Sequence, residues 1–92
     1  MAAPELAGAA LTCTLRVLFA SEAHAALGAA ALAVDPELNP ERVCKAFATS
    51  GAHLVVTFQA LDVRSMRLSV SAFLDCLSVV LRSLRDFGEA SE

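Results

Sequence analysis

The feature that most constrains the fold is a long stretch of helix-compatible sequence. From Asp62 to Phe87 the chain contains neither glycine nor proline, and large apolar residues recur at spacings of three and four, which is the pattern of an amphipathic helix. Asp62 is a suitable N-cap, and Gly88 stands where a left-handed C-cap residue belongs. The sequence therefore predicts one helix of about 26 residues, roughly 39 Å long, that ends at Gly88.

The faces of this predicted helix differ in composition. The first face is a stripe of large apolar residues that should pack against a sheet. It consists of Val63, Met66, Val70, Phe73, Leu77, Val80, Leu84 and Phe87, with Leu74 and Leu81 at its margin. The second face is polar; it is either solvated or in contact with phosphate or protein, and Arg82 can pair with Asp86 at i,i+4. It consists of Arg64, Arg67, Ser71, Asp75, Ser78, Arg82, Arg85 and Asp86.

A third face is small and mildly apolar. It consists of Leu68, Ala72, Cys76 and Val79, with Ser65 and Ser83. Small residues allow the close approach of another helix, which is either the chain's own first helix or a helix of a partner. The sequence leaves both interpretations open.

A strand and a shorter helix are predicted before this region. Leu11–Ala20 alternates between apolar and polar side chains, which is typical of a half-buried strand. Ser21 is a suitable N-cap, and the negative charge of Glu22 favours the first turn of a helix. We expect this helix to run to about Val34, because the prolines of the 35–41 segment exclude its continuation.

Two further strands are predicted at Val43–Ser50 and Leu54–Leu61, joined by a turn at Gly51-Ala52-His53. The element order is then β-α-β-β-α, and a right-handed crossover makes the first two strands parallel with the last strand between them. This predicts an α+β fold with two helices packed on one face of a three-stranded sheet, a truncated ferredoxin-like unit. The first strand keeps an unpaired edge and one sheet face stays bare, which favours binding of a partner.

Size and composition also favour a partner. The chain has 92 residues, is 57% hydrophobic and carries a formal charge of −3. A folded domain of this mass buries only about 63% of its surface, so the chain has more apolar surface than one small core hides. We expect one domain at residues 11–88, with a flexible N-terminal tail at 1–10 and a short C-terminal tail at 89–92.

The sequence contains no targeting or membrane signal that we recognise. The N-terminal segment is rich in alanine, but it lacks a basic region and contains Glu5, unlike a signal peptide. The longest nearly uncharged stretch, Ala23–Val34, is too short to cross a membrane. We therefore expect a cytoplasmic and nuclear protein.

No set of residues has the pattern of an active site. Cys13, Cys44 and Cys76 are odd in number and widely spaced, which indicates reduced, buried thiols rather than disulfides or metal ligands. His24 and His53 have no ligand or base at a useful spacing, so we interpret them as surface histidines. Nucleotide-binding and metalloprotease motifs are absent from the sequence. We predict no catalytic residue, no cofactor and no metal site, and hence no enzyme.

Charge is distributed unevenly along the chain. Residues 1–41 hold five acids and one base, a net charge of −4, whereas residues 42–92 hold five acids and six bases, a net charge of +1. Arg64, Arg67, Arg82 and Arg85 form a local basic patch on an acidic protein. Because the polar strand faces lack aromatic residues for base stacking, we expect phosphate contacts only within a larger assembly.

The long helix also carries an unusual motif. Residues 64–75 read Arg-x-x-Arg-x-Ser-Val followed by Phe-Leu-Asp, and Leu77 to Val80, Arg82 and Phe87-Gly88 continue it. This segment resembles the signature helix of the Pcc-type subunit of the KEOPS (EKC) complex, a family that in animals includes the L antigen and cancer/testis antigen proteins. The hairpin, the first strand and the Ser21-Glu22 helix start are also similar. The chain lacks the extended Gly-rich N-terminal region of the longer animal members.

The resemblance implies a non-catalytic subunit with the fold derived above. Such proteins bind the KEOPS catalytic subunit, a metal-dependent threonylcarbamoyl transferase, and help it to modify the adenosine 3′ of the anticodon in tRNAs that read ANN codons. They also act as dimerisation modules, either as homodimers or with a small, partially disordered KEOPS subunit.

Two sets of residues in this chain become candidates by analogy with the family. The proposed contacts with the catalytic subunit are Leu68, Ala72, Cys76 and Val79. The proposed tRNA contacts are Arg64, Arg67 and Arg82. The alternatives are a stand-alone RNA-binding ferredoxin-like module and a self-associating scaffold unrelated to tRNA.

Overall fold

The fold is a three-stranded antiparallel sheet with two helices on one face. The computed structural model describes residues 6, 8–34, 37 and 39–90, the side chains of 87–90 excepted. The elements in chain order are β1 (Leu11–Leu18), α1 (Glu22–Ala33), β2 (Val43–Ser50), β3 (His53–Ala60) and α2 (Val63–Ala90). The strand order is β1-β3-β2, which confirms the predicted topology.

The central strand β3 forms the floor of the core. Leu54, Val56, Phe58 and Ala60 point to the helical side of the sheet and are fully buried. Phe58 is paired with Cys13 of β1 on one side and with Lys45 of β2 on the other. Because alternate residues of a strand face opposite sides, this register places both helices over the same set of apolar side chains.

The strand boundaries follow from the hairpin turn. The turn is two residues long, Gly51-Ala52, and Gly51 has a φ of 59°, a backbone conformation that glycine adopts without strain. His53 therefore belongs to β3 and pairs with Ser50, so β3 begins one residue earlier than predicted. β1 ends at Leu18 rather than Ala20, because Leu18 pairs with His53, the first residue of β3. Phe19 already lies opposite the turn, where its N–H donates to the Ala52 carbonyl at 2.8 Å.

The helix α2 differs from the prediction at its end and in its rotation. It continues through Gly88 to Ala90, so the prediction that Gly88 ends the helix is wrong; an interior glycine weakens a helix without stopping it. Its buried face includes Ser65 and Ser69 beside Phe73 and Leu77. The predicted core residues that prove to be exposed are Val63, Leu74 and Leu81, and we call these three the outer stripe.

The other members of the predicted core stripe behave as expected. The partly buried residues of α2 that pack on the core are Met66, Val70, Val80 and Leu84. The side chain of Phe87 lies outside the described residues, as do residues 1–5 and 7 of the predicted N-terminal tail and residues 91–92. The predicted domain limits of 11–88 stay a prediction.

In the described part of the chain, no helix is long and apolar enough to span a membrane.

Aromatic rings and one close helix contact hold the two layers together. The Phe73 ring of α2 lies 5.5 Å from that of Phe58 and 6.0 Å from that of Phe47, centroid to centroid. The helix α1 comes close to the core at Gly28, where a Cβ atom would lie 2.7 Å from the ring of Phe19. Because Phe19 is only 5% exposed, its ring has little room to move, and Gly28 sets the distance between α1 and the core.

An ion pair fastens the start of α2 to the start of β2. Asp62 caps the helix as predicted: its Oδ1 accepts the Ser65 N–H at 2.8 Å, and its Oδ2 accepts the Ser65 hydroxyl at 3.0 Å. The guanidinium of Arg42 donates to the same Oδ2 through Nε, at 2.9 Å, and through Nη2. The hydrogen bond from the Ser65 N–H, followed by that from Arg42, lowers the pKa of Asp62 to about 2.

We expect Gly28→Ala to destabilise the protein. The new methyl group would meet the Phe19 ring, and such overpacking costs about 1–3 kcal/mol, against a gain of up to about 1 kcal/mol in helix propensity. The predicted net loss is about 1 kcal/mol, measured by urea unfolding. The double variant Gly28→Ala, Phe19→Leu should regain part of the loss. An increase in stability on Gly28→Ala alone would show that Phe19 moves freely.

We expect Asp62 to make stability fall at low pH. The folded-state pKa of about 2 lies below the ordinary value of 3.8, so its contribution is complete above the ordinary value and is lost as the pH falls through 2. The midpoint of thermal unfolding should therefore decrease less between pH 5 and pH 2 in Asp62→Asn, which retains a capping oxygen, than in the wild type. Equal decreases in the two proteins would contradict the assignment.

Candidate partner-docking site

A groove lies between α2, the C-terminal end of α1 and the first half of β2. Its volume is about 660 Å³, within the range of pockets that bind ligands or large side chains. The apolar residues that line it are Leu32, Val43, Leu68, Ala72, Phe73 and Cys76. Val43 and Phe73 are buried, so the floor of the groove is part of the core, whereas Leu68 and Ala72 form its exposed rim.

A polar cluster closes one side of the groove. Glu37, in the connection between α1 and β2, lies with its Oε2 3.5 Å from the Lys45 Nζ and accepts a hydrogen bond from the Ser69 hydroxyl at 3.2 Å. The side chains of Glu37 and Lys45 are each only 16% exposed. These contacts attach the connection to α2 and explain why Ser69, a polar residue, is buried.

The structure brings together three of the four predicted partner-binding residues. Leu68, Ala72 and Cys76 line the groove, and Val79 lies one turn further along α2. Leu68 is 63% exposed and Val79 61% exposed, Ala72 is exposed, and Cys76 is half-buried. α1 therefore leaves Leu68, Ala72 and Val79 largely uncovered, and contact of this face with a partner stays a prediction. We call these three residues the groove stripe.

The outer stripe lies on the opposite flank of α2. At 100° per residue, Val63, Leu74 and Leu81 stand about 150° around the helix axis from the groove stripe. The spacing of apolar residues assigns all three residues to the core, so this surface was not predicted from the sequence. The only available signal was the pair of serines, Ser65 and Ser69, on the face that proves to be buried.

The predicted basic residues lie on the exposed ridge between the two stripes. Arg64, Arg67 and Arg82 are all exposed, and Arg64 and Arg82 are separated by 18 residues, or about 27 Å along a helix. The predicted pair between Arg82 and Asp86 is wrong: Asp86 Oδ1 lies 3.6 Å from the Nη2 of its neighbour Arg85. Such exposed pairs contribute little to stability, so the ridge arginines stay available for a partner.

The sheet face that points away from the helices is exposed along β1 but not at the centre of β3, where Thr57 is only 7% exposed. Thr12, Thr14, Arg16 and Leu18 point to this face from β1 and are exposed. Their neighbours on β3 are His53, Val55, Thr57 and Gln59, and those on β2 are Cys44, Ala46, Ala48 and Ser50. These strands therefore place no phenylalanine, tyrosine or tryptophan on this face. Aromatic residues are what an RNA-binding sheet uses to stack bases, so the face does not have the chemistry of such a module.

The cysteines are more exposed than predicted, and the histidines are less exposed than predicted. Cys13, Cys44 and Cys76 are not in disulfides and are half-buried rather than fully buried. Burial, followed by the charge of Glu37, raises the pKa of the Cys44 thiol, which disfavours the reactive thiolate. His24 and His53 are also half-buried. Across the described residues, no three His, Cys, Asp or Glu side chains are grouped so that they could hold a metal ion.

Comparison with known proteins shows the family of the chain. Residues 12–85 match the family described as "Transcription factor Pcc1". The human protein "EKC/KEOPS complex subunit LAGE3" is 41% identical over 75 residues, which are 82% of this chain and 52% of the human protein. "EKC/KEOPS complex subunit PCC1" of Eremothecium gossypii is 36% identical over 72 residues, 78% of this chain and 89% of that protein. The chain thus spans about half the length of the human relative.

A solved structure has the same fold. A chain from the "Crystal structure of binary complex Gon7-Pcc1" superposes with a TM-score of 0.79 at 23% sequence identity, covering 85% of this chain and 96% of that chain. The residues matched by the family, 12–85, include β1 from its second residue, α1, the hairpin and α2 as far as Arg85. By this match and by its similarity to the human and fungal proteins, the chain belongs to the Pcc1 family.

Proposed function

We propose that this protein is a non-catalytic accessory subunit of a KEOPS (EKC) complex. Its family and the names of its human and fungal relatives support this assignment. The structural observation that carries it is the exposure of apolar residues on both flanks of α2, at Leu68 and Val79 on one side and Leu74 on the other. Rows of exposed apolar side chains on a helix are typical of protein-binding surfaces.

The groove stripe is the proposed contact with the KEOPS catalytic subunit. Leu68, Ala72 and Val79 follow one another along one side of α2, and Ala72 is small enough to allow a partner helix to approach closely. Cys76 extends this surface into the groove. The partner would cover apolar side chains that no segment of the described chain covers, which supplies the hydrophobic stabilisation of the complex.

The outer stripe and the free edge of β1 are the proposed dimerisation surface. Within the described residues β1 pairs with β3 alone, and its other edge presents backbone groups that a strand of a partner would satisfy by strand addition. The partner is a second copy of this chain or a small KEOPS subunit. The similar solved structure is a binary complex of Gon7 and Pcc1, and this supports the second possibility.

The role proposed for the complex is threonylcarbamoyladenosine modification of tRNAs that read ANN codons, in the cytoplasm and nucleus. Within it, Arg64, Arg67 and Arg82 would contact tRNA phosphates, because they are exposed and lie along one ridge. The net charge of −3 opposes tRNA binding by the chain alone. A self-associating scaffold would use the same apolar stripes and is the alternative outcome of the first test below.

The first test is co-expression with a human KEOPS catalytic subunit, followed by size-exclusion chromatography with light scattering. We expect a stoichiometric complex with the wild type and none with Ala72→Arg, which places a charge on the groove stripe without disturbing the core. Ser78→Arg adds the same charge on the exposed ridge of α2 and is the matched control; it should bind like the wild type. Separate elution of the wild type and the catalytic subunit would favour the scaffold.

The second test concerns the arginine ridge. We expect the variant Arg64→Glu, Arg67→Glu, Arg82→Glu to assemble normally but to weaken tRNA binding by the complete complex at least tenfold, because each phosphate contact adds to an electrostatic affinity. The slope of log Kd against log salt should also decrease. Retention of the wild-type slope by the triple variant would show that the ridge does not contact tRNA. The isolated chain should bind tRNA weakly in every case.

A further inference from the structure

The rotation of α2 about its axis differs from the one that its apolar residues favour. The outer stripe belongs to the apolar face of the helix by its spacing, but it is exposed. The sheet side of α2 covers Ser65 and Ser69 instead, and both are buried. Burial stabilises apolar side chains, whereas it removes water from polar ones at a cost. Apolar burial alone would therefore turn the helix so that the outer stripe faces the sheet.

The angle between the two rotations follows from helix geometry. At 100° per residue, the buried face is centred between Ser69 and Phe73, whereas the large apolar residues are centred about 50° away, near Leu77. A turn of this size would keep Met66, Phe73 and Leu77 directed at the sheet. It would also bury the outer stripe and move both serines toward solvent. The sequence of α2 thus supports a second packing that buries more apolar surface.

Two hydrogen-bonded clasps hold the serines in the observed rotation. Each clasp consists of a serine of α2, a carboxylate that accepts its hydroxyl and a basic residue paired with that carboxylate. The clasps are Ser65–Asp62–Arg42 and Ser69–Glu37–Lys45. The distances from hydroxyl to carboxylate oxygen are 3.0 Å and 3.2 Å. Lys45 belongs to β2 and Arg42 directly precedes it, so both clasps join one side of α2 to the same strand.

The clasps supply the hydrogen-bond partners that this rotation requires. A buried hydroxyl without a partner is destabilising. In the part of the chain that the structure describes, no buried side-chain oxygen or nitrogen lacks a partner. Hydrogen bonds to an ionised carboxylate are also stronger than those between neutral groups. The clasps therefore offset the apolar burial that is lost where the outer stripe is exposed.

We propose that the two clasps select between two rotations of α2 and keep the outer stripe exposed. Without them, α2 turns by about 50° and buries the outer stripe against the sheet. Helices change between discrete packings of this kind because a close-packed core does not deform continuously. The inference goes beyond the proposed function and does not depend on it. Only its consequence for dimerisation, that the clasps make the outer stripe available to a partner, rests on that function.

A single tryptophan at position 74 reports the rotation. The chain contains neither tryptophan nor tyrosine, so Leu74→Trp gives one emission signal from the outer stripe. With both clasps present, the indole should be exposed, as Leu74 is. In the clasp-free variant Glu37→Ala, Asp62→Ala, the emission should shift to shorter wavelength. Acrylamide quenching should fall roughly twofold or more, because the turn brings position 74 as close to the centre of the buried face as Ser65 is now.

The matched control keeps both hydrogen-bond acceptors. Glu37→Gln, Asp62→Asn retains an oxygen for each serine, so the reporter should stay exposed. A second reporter, Leu68→Trp on the groove stripe, should stay exposed in the clasp-free variant as well, since the turn moves it further from the sheet. Adding Val63→Ser and Leu81→Ser to the clasp-free variant removes the apolar gain of the turn and should return the first reporter to solvent.

Circular dichroism and urea unfolding identify the variants that are folded. If the clasp-free variant does not fold, Glu37→Ala alone keeps the Asp62 cap and should give a smaller shift in the same direction. Unchanged emission and quenching of the position 74 reporter in a folded variant would overturn the proposal. So would increased quenching of both reporters, because that would indicate a loosened helix rather than a turned one.

Discussion

The narrow sheet is the constraint on which the rest of the structure depends. Three strands of eight residues make a surface about 26 Å long and about 14 Å wide, and α1 occupies part of it. The helix α2 has 28 residues and is about 42 Å long. The sheet therefore covers only one side of α2 and only part of its length. Both apolar stripes of α2 are exposed for this reason, so the proposed binding surfaces arise from an incomplete core rather than from an added binding loop.

The elements that sequence could predict are those determined by local chemistry. The Asp62 cap, the bounds of β2 and the glycine turn depend on residues close in sequence, and the structure confirms them. The rotation of α2 was not predictable in this way. Ser69 is buried because Glu37, 32 residues away, accepts its hydroxyl, and a periodicity that counts apolar residues assigns Leu74 and Leu81 to the core instead.

The candidate site was also predictable from the sequence only in part. The small residues of α2 indicated a surface for close approach, and Leu68, Ala72 and Cys76 do line one groove. The volume of that groove was not predictable, since its lining comes from α1, β2 and the connection between them as well as from α2. The position of Asp75 also depends on three-dimensional structure: the sequence places it on a polar face beside arginines, and only the fold places it at the edge of an apolar floor.

The pairing of β1 has a consequence for how the protein folds. Residues that pair between β2 and β3 are 3 to 17 positions apart in the sequence, whereas residues that pair between β1 and β3 are 35 to 49 positions apart. Contacts that close long loops form slowly, because the chain loses conformational entropy before the contact stabilises it. The hairpin with α2 is therefore the natural nucleus, and β1 is the strand that joins late. A partner strand bound to the free edge of β1 would hold it in place, so that folding and assembly become thermodynamically linked and the stability of the subunit rises with partner concentration.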